Sequence, residues 1–494
     1  MVALAIVAAT PVVLAAVVAA LIGISRAGVA LRMRRRPPPP VAGPWWPCDY
    51  IDKGGLAISD RAHGCSGTPT WRLVVRGALE AEHVRRALAD VVARYPSLAT
   101  KVQPLDGAPL DATRFRYAHD PAFSVEQILE AIDLRGDPAA LPVLAQALQN
   151  RHLDLFADAP MTLTLVRSAD DACILFFRQH HAIADGRAFI ALLADFATFL
   201  DAARAGRRPP AEALAPVGRR SELDALALPR WRRALDTLAG YGWLLRAGMR
   251  ASSRPVVPLV QNRSNDYRGD NGTVHWSVDD AQLARWNAAR KRIGCSLNSL
   301  FTAALFAANQ RWHRALGEPL GRTAGTLVME TRPRDPTFVS FANHLATLEV
   351  EAQLGRDVDL GSEAELATLA RNLQAQVDRQ RRVRVPIKRL LCERQLARGM
   401  KLAAMQRFVF ESKRATYNFN FSNLVALEFP AIGGDGWSVD EVLITTPVTP
   451  RAGIVVTVIR YRERVVFNVN YKSSAATRAE AEALLGHLQT ILGL

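Results

Sequence analysis

Cysteine is scarce in this 494-residue chain and nowhere clustered: Cys48, Cys65, Cys173, Cys295 and Cys392 form no CxxC pair. That argues against a zinc site or a disulfide framework. An odd set of unpaired thiols fits a reducing compartment, and none carries the local signature of a thiol nucleophile. Acidic residues are short relative to basic ones, 47 against 62, leaving a net charge of +15. Such an excess points to an anionic partner: lipid head groups, a phosphate-bearing cofactor, an acidic protein or nucleic acid. No recognised nucleic-acid-binding motif or aromatic platform accompanies the charge, so no nucleic-acid partner is expected. Short-period repeats are absent, which excludes a solenoid. What is present is a globular composition, 49% hydrophobic and 22% charged, in a chain long enough for two domains and extras.

The first segment is a long uncharged run, Val2 to Ser25. As a helix at ~1.5 Å per residue it reaches about 36 Å, enough for a ~30 Å hydrocarbon core with some tilt. No Lys or Arg precedes it, unlike a signal peptide, and Arg26, Arg32, Arg34, Arg35 and Arg36 follow. The positive-inside rule then places the N-terminus outside and the body in the cytoplasm, on a single-pass anchor in the cytoplasmic membrane. Pro37 to Pro40 predict a short stiff spacer. Trp45 and Trp46 suit either a membrane interface or the edge of the first core.

The body alternates strand and helix patterns. Trp71 to Arg76 predicts a strand and Glu80 to Tyr95 an amphipathic helix stopped by Pro96. Met161 to Val166 and Ala172 to Phe177 predict a strand pair, with a helix from about Arg187 to Leu200. Between Ala202 and Asn265 the pattern loosens around a basic, Trp-bearing helix, Pro229 to Met249. It suits a crossover helix packed on the second lobe, or one lying on an anionic membrane surface. Strands and helices resume after Thr273, with a basic helical stretch from Arg371 to Arg407 and a last helix near Arg478 to Ile491. The basic stretch fits coenzyme A phosphates, an acidic acyl carrier protein, lipid head groups, or simply a solvated helix face. The expected divisions are 1–36 anchor and basic flank, 37–44 spacer, 45–205 first lobe, 206–265 crossover and 266–494 second lobe. Two mixed α/β lobes follow from this order.

One motif is specific: His180-His181-x-x-x-Asp185-Gly186. By chance it would arise in a chain this long roughly once in a thousand. It leaves a strand and precedes a helix. A neutral imidazole suits a general base that takes a nucleophile's proton during acyl transfer and returns it to a leaving thiolate. A carboxylate four residues on can tie the loop down by pairing with an arginine from elsewhere. Gly186 permits a turn or a close approach. No second His or Cys cluster supports a metal reading.

These residues resemble the chloramphenicol-acetyltransferase-like acyltransferases, which include non-ribosomal peptide condensation domains, wax ester synthase/diacylglycerol acyltransferases and alcohol acetyltransferases. Further likenesses lie in Trp71 to Glu80 with the helix ending Tyr95-Pro96, in Asn298-Ser299, in Glu330-Thr331-Arg332-Pro333 and in Ser422-Asn423. The chain departs from the wax synthase branch at Pro160-Met161-Thr162, at Asn298-Ser299 in place of an Asn-Asp pair, and after Asn423. The resemblance implies a two-lobed α/β fold and His181 as catalytic base, with His180, Asp185 and Gly186 as the structural part of the motif. Ser422, Asn423 and Asn298 become candidates for the oxyanion site or tunnel. No permanent cofactor is implied; the donor is an acyl-CoA or a phosphopantetheinyl carrier thioester. The expected reaction is O-acylation of a lipid or hydrophobic alcohol at a membrane. The alternatives are a stand-alone amide-forming condensation enzyme, or a non-catalytic relative that binds a carrier protein or lipid.

Overall fold

The computed structural model describes residues 43–60, 65–253, 256–257, 269–335, 337–355, 357–411, 418–427, 429–448 and 453–493. The expected anchor at Val2 to Ser25 and most of the Pro-rich spacer lie outside these residues. Among the described residues, no helix is long and apolar enough to cross a membrane.

Among the described residues, two six-stranded sheets carry the fold. The first runs Gly433–Gly434, Trp437–Thr445, Thr70–Arg76, Ala172–Gln179, Met161–Ala169, Leu129–Asp133, antiparallel except for its last pair. The second runs Leu345–Gln353, Arg322–Glu330, Phe419–Asn423, Ile454–Tyr461, Arg464–Lys472, Asn271–Asp279, with Phe419–Asn423 parallel to both neighbours. A three-stranded sheet of Trp45–Pro47, Phe115–His119 and Thr100–Pro104 flanks the first lobe. Within it Trp46 packs against the first core, whereas Trp45 is 52% exposed.

The strand Ala172–Gln179 is a nearly continuous apolar run because both of its faces are covered, as buried central strands require. Cys173, Leu175 and Phe177 point into the main core, where Phe177 meets Phe189 and Phe196 edge-on. Ile174 and Phe176 point the other way, into a small cluster with Leu148 of the helix Leu141–Asn150. Phe189 and Phe196 belong to the helix Gly186–Arg204, whose apolar side lies on the sheet. In the second lobe the helix Leu297–Ala315 is buried along most of its length, and its Phe301 forms an edge-to-face cluster with Trp286 and Phe467.

The division expected at residue 266 does not follow the sheets. Trp437–Thr445 leaves the second lobe and pairs with Thr70–Arg76, burying Val439, Val442 and Ile444 in the first core. Without it, Thr70–Arg76 would be an edge strand with unpaired amides and carbonyls, so the second half of the chain completes the sheet of the first.

The basic crossover helix extends over Arg230–Ser253 and packs on the helix Val385–Gly399. Their closest approach is at Gly240, where an added Cβ would stand 2.7 Å from Cys392 Cβ and closer still to the Lys388 carbonyl. Asp236 pairs with Arg384 at 3.2 Å, and the Arg389 guanidinium lies 5.3 Å over the Trp243 ring. Gly240→Ala should therefore destabilise the protein by about 1 to 3 kcal/mol, read as a lower urea midpoint. An unchanged midpoint would mean that the two helices do not touch there.

Candidate active site between the lobes

The His-bearing strand ends at Gln179, and the chain is then fastened residue by residue. His180 N–H donates to Pro160 O at 2.9 Å and His181 N–H to Gly67 O at 2.9 Å. Inside the turn, Ala182 N–H donates to His180 Nδ1 at 3.1 Å. That bond requires an unprotonated Nδ1, so the His180 proton sits on Nε2. Burial pushes the His180 imidazole down to about 3, reinforced by the charges of His152 and His181.

Every carbonyl from His181 to Ala184 accepts a side-chain hydrogen bond. Asn343 Nδ2 donates to His181 O at 2.8 Å and to Ala182 O at 3.1 Å. The Tyr117 hydroxyl donates to Ala182 O at 2.7 Å, Arg219 donates to Ile183 O, and Gln179 Nε2 donates to Ala184 O at 2.7 Å. Behind these donors Arg219 pairs with Asp52 at 2.6 Å, with both side chains almost fully buried. Asn343 donates to Asp52 at 3.0 Å, and Arg219 lies 4.3 Å over the Tyr117 ring. Asp52 comes from the helix Tyr50–Ile58, which approaches so closely that a Cβ on Gly55 would lie 2.9 Å from Ala182 Cα.

Asp185 closes the motif. It caps the helix Gly186–Arg204 by accepting from Ala188 N–H at 3.0 Å. Its two oxygens also accept from Arg332 at 2.8 and 3.0 Å, and Oδ2 accepts from His344 N–H at 2.8 Å. Burial pushes this carboxyl up, but the Arg332 charge and the hydrogen bonds outweigh it and hold the group below its ordinary value. The second lobe comes close at Gly186: Leu424 Cδ1 would stand in ordinary contact, 3.5 Å, from a Cβ placed there.

The His181 imidazole is different. Its backbone is tied on both sides, yet the residue is partly exposed, and its ring makes no hydrogen bond among the described residues. A partly exposed imidazole on a fixed backbone can take a proton from a bound acceptor.

The other sequence candidates lie in the second lobe. Asn423 Nδ2 donates to Asn298 Oδ1 at 2.8 Å, and Asn423 Oδ1 accepts from Val425 N–H at 3.0 Å. Ser422 sits opposite Thr457 in the parallel pair. It is Leu424, the residue after Asn423, that comes near Gly186 of the motif. The basic stretch divides among three helices. Arg384 pairs with Asp236, Arg389 with Glu349 and Glu393, and Arg394 with Asp49 and Glu222. Arg379, Arg381 and Arg382 are left exposed at a helix end. Asp52, Tyr117, Gln179, Arg219 and Asn343 went unread as site residues in the sequence. The one available signal was the pair Asp52-Lys53 inside an otherwise apolar helical stretch.

His180 gives a measurable pH dependence. Its folded value lies below the unfolded value of about 6.5, so the unfolded chain binds the proton first as pH falls. The stability conferred by neutral His180 is complete above that pH and is lost progressively down to the folded value. Between pH 7 and pH 5 the group should contribute a loss of about 2 kcal/mol in urea unfolding. His180→Asn, which keeps an acceptor for Ala182 N–H, should lack that component. An identical pH dependence in both proteins would refute the assignment.

The family described as Condensation domain matches residues 70–316, half of the chain. Among curated proteins, the isonitrile lipopeptide synthase of Mycobacterium tuberculosis (strain ATCC 25618 / H37Rv) is 33% identical over 138 residues, 28% of this chain and 5% of that protein. A probable non-canonical nonribosomal peptide synthetase of Salinispora arenicola (strain CNS-205) is 31% identical over 146 residues, 29% of this chain and 2% of that protein. The aligned stretches thus span 5% or less of these relatives. Among solved structures, the trichothecene 15-O-acetyltransferase of Fusarium sporotrichioides superposes with a TM-score of 0.69 at 13% identity, covering 92% of this chain and 96% of that one. The starter condensation domain of rhizomide synthetase, in complex with C8-CoA and Leu-SNAC, gives 0.64 at 16% identity, covering 91% and 94%. Identities this low show the fold alone. With half of its length matched, this chain belongs to the condensation-domain family of acyl-transferring enzymes.

Proposed function

We propose that this chain transfers an acyl group from a thioester to the hydroxyl of a lipid or other hydrophobic alcohol, with His181 as general base. The acceptor O–H gives its proton to His181 as the oxygen attacks the thioester carbonyl. The tetrahedral intermediate then collapses, the C–S bond breaks, and the departing thiolate takes the proton back from His181. The observation that carries this reading is the contrast within one turn: four consecutive carbonyls fastened, one imidazole without a hydrogen bond among the described residues. Binding energy invested in holding a base still is realised in the transition state.

The donor in this reading is acyl-CoA or an acyl group on an acidic carrier protein, with Arg379, Arg381 and Arg382 as an exposed cationic end that phosphates or acidic residues would meet. The C8-CoA complex of the rhizomide synthetase domain supports a CoA thioester. The roles offered for Ser422, Asn423 and Asn298 belong to this proposal too: they stand on the second lobe, Asn298 bonded to Asn423, whose neighbour Leu424 comes within 3.5 Å of where a Cβ on Gly186 would stand. The uncharged run Val2 to Ser25 and the arginines after it support an anchored enzyme whose body faces the cytoplasm. An anchor would hold the site near a bilayer-dissolved acceptor.

A second reading, amide formation on an amine acceptor, is favoured by the two peptide-synthetase relatives. It uses the same base and differs in the acceptor.

The test is mass spectrometry of lipids and metabolites from cells making wild type or His181→Ala at matched levels. A species present only with wild type, heavier than a partner by one acyl group, is expected, and fragmentation tells ester from amide. Loss of the base should lower transfer by about 100-fold to 10,000-fold. The same acylated species at equal abundance with His181→Ala would end the general-base reading.

A further inference from the structure

The crossover helix Arg230–Ser253 has two unlike sides. One is fixed to the helix Val385–Gly399 at Gly240, and through Asp236 to Arg384 just before that helix. At about 100° per residue, Trp231 lies about 180° from Gly240, and Leu235, Leu238 and Met249 fall within about 40° of Trp231. These four side chains are 63%, 55%, 57% and 64% exposed. Among the described residues, no other element presents more than one large apolar side chain so exposed. Arg230 and Arg246, both exposed, flank the stripe.

We infer that this stripe docks on an anionic lipid surface, its apolar residues among the upper acyl chains and Arg230 and Arg246 at the head groups. The inference rests on the reading of Val2 to Ser25 as a bilayer anchor. Two observations commit it to lipid. The first is charge: an apolar stripe edged by arginines, on a protein of net charge +15, is complementary to anionic head groups. The second is reach. From Arg36, which ends the basic flank, to Gly43, where the described chain begins, seven residues extend at most about 25 Å. The chain then enters the fold at the three-stranded sheet, where Pro44 O accepts from His119 N–H and Trp45 pairs with Ala118, and six residues after Gly43 it meets the helix that the crossover helix packs on. Asp49 pairs with Arg394 at 3.1 Å, and the Tyr50 hydroxyl donates to Glu393 at 2.9 Å. The thirteen residues from Arg36 to Asp49 thus bound the tether between the basic flank and this helix pair at about 45 Å.

The experiment uses the full chain in vesicles of phosphatidylcholine with about 30% phosphatidylglycerol, the acyl chains brominated near their middle so that they quench nearby indoles. Trp231 and Trp45 are the two strongly exposed tryptophans. Trp231→Phe should therefore remove about half of the lipid-dependent quenching, with the far-ultraviolet circular dichroism unchanged. Replacing Arg230 and Arg246 together by Gln should lower the quenching in these vesicles to the level seen in phosphatidylcholine alone. Undiminished quenching in Trp231→Phe would overturn the inference, and would mean that a second copy or another part of the chain covers the stripe. Undiminished quenching in the double Gln variant would overturn the role given to charge. The anchor is read separately by alkaline carbonate extraction of the wild type. Release into the supernatant would contradict the anchor alone, because the Trp231 quenching is scored independently.

Discussion

The Asp185–Arg332 pair is the contact on which the site depends. Asp185 closes the motif in the first lobe, and Arg332 follows the strand Arg322–Glu330 of the second. Both side chains are nearly buried, so neither charge is stable there alone; removing one partner of such a pair typically costs about 3 to 5 kcal/mol. The same carboxylate caps the helix Gly186–Arg204 and accepts the backbone N–H of His344. One group thereby fixes the start of a helix, the end of the motif and the distance between the lobes. In the proposed reaction a base that must serve two substrates would gain from this arrangement, because its position is set by both halves of the protein.

The packing around the turn serves the same end. The strand that delivers His180 and His181 is buried on both faces and cannot shift register without turning Phe176 and Phe177 out of their clusters. On its far side, Asp52, Arg219, Asn343 and Tyr117 form a buried network whose donors end on the motif's own carbonyls. Arg219 comes from the crossover segment and Asn343 from the loop before Leu345–Gln353. Elements distant in sequence therefore converge on four peptide groups. A carbonyl without a partner in so dry a place would be costly, which is a physical reason for so many donors.

Much of this was legible in the residues. The motif located the turn, the end of the preceding strand and the start of the following helix, and a partner arginine from elsewhere was expected for Asp185. The stretch Glu330 to Pro333 already held it, as Arg332. The network behind the turn was not legible. Its acceptors are main-chain carbonyls, which carry no mark in a sequence, and its donors are single residues in loops and linkers. Trp437–Thr445 was missed for a related reason: nothing local says that a strand following second-lobe elements pairs back with the first lobe. Arg384, Arg389 and Arg394 looked like part of one charged surface until Asp236, Glu349 and Asp49 were seen beside them.

The central claim is that the fastened turn acts through His181. A double-mutant cycle in acyl-transfer rate tests it most directly, pairing His181→Ala with Tyr117→Phe, which removes the hydroxyl bonded to the Ala182 carbonyl. Tyr117→Phe should slow transfer in the wild-type background and have no further effect once His181 is gone. An equal slowing in both backgrounds would contradict the account, because the contact would then support the fold without positioning the base.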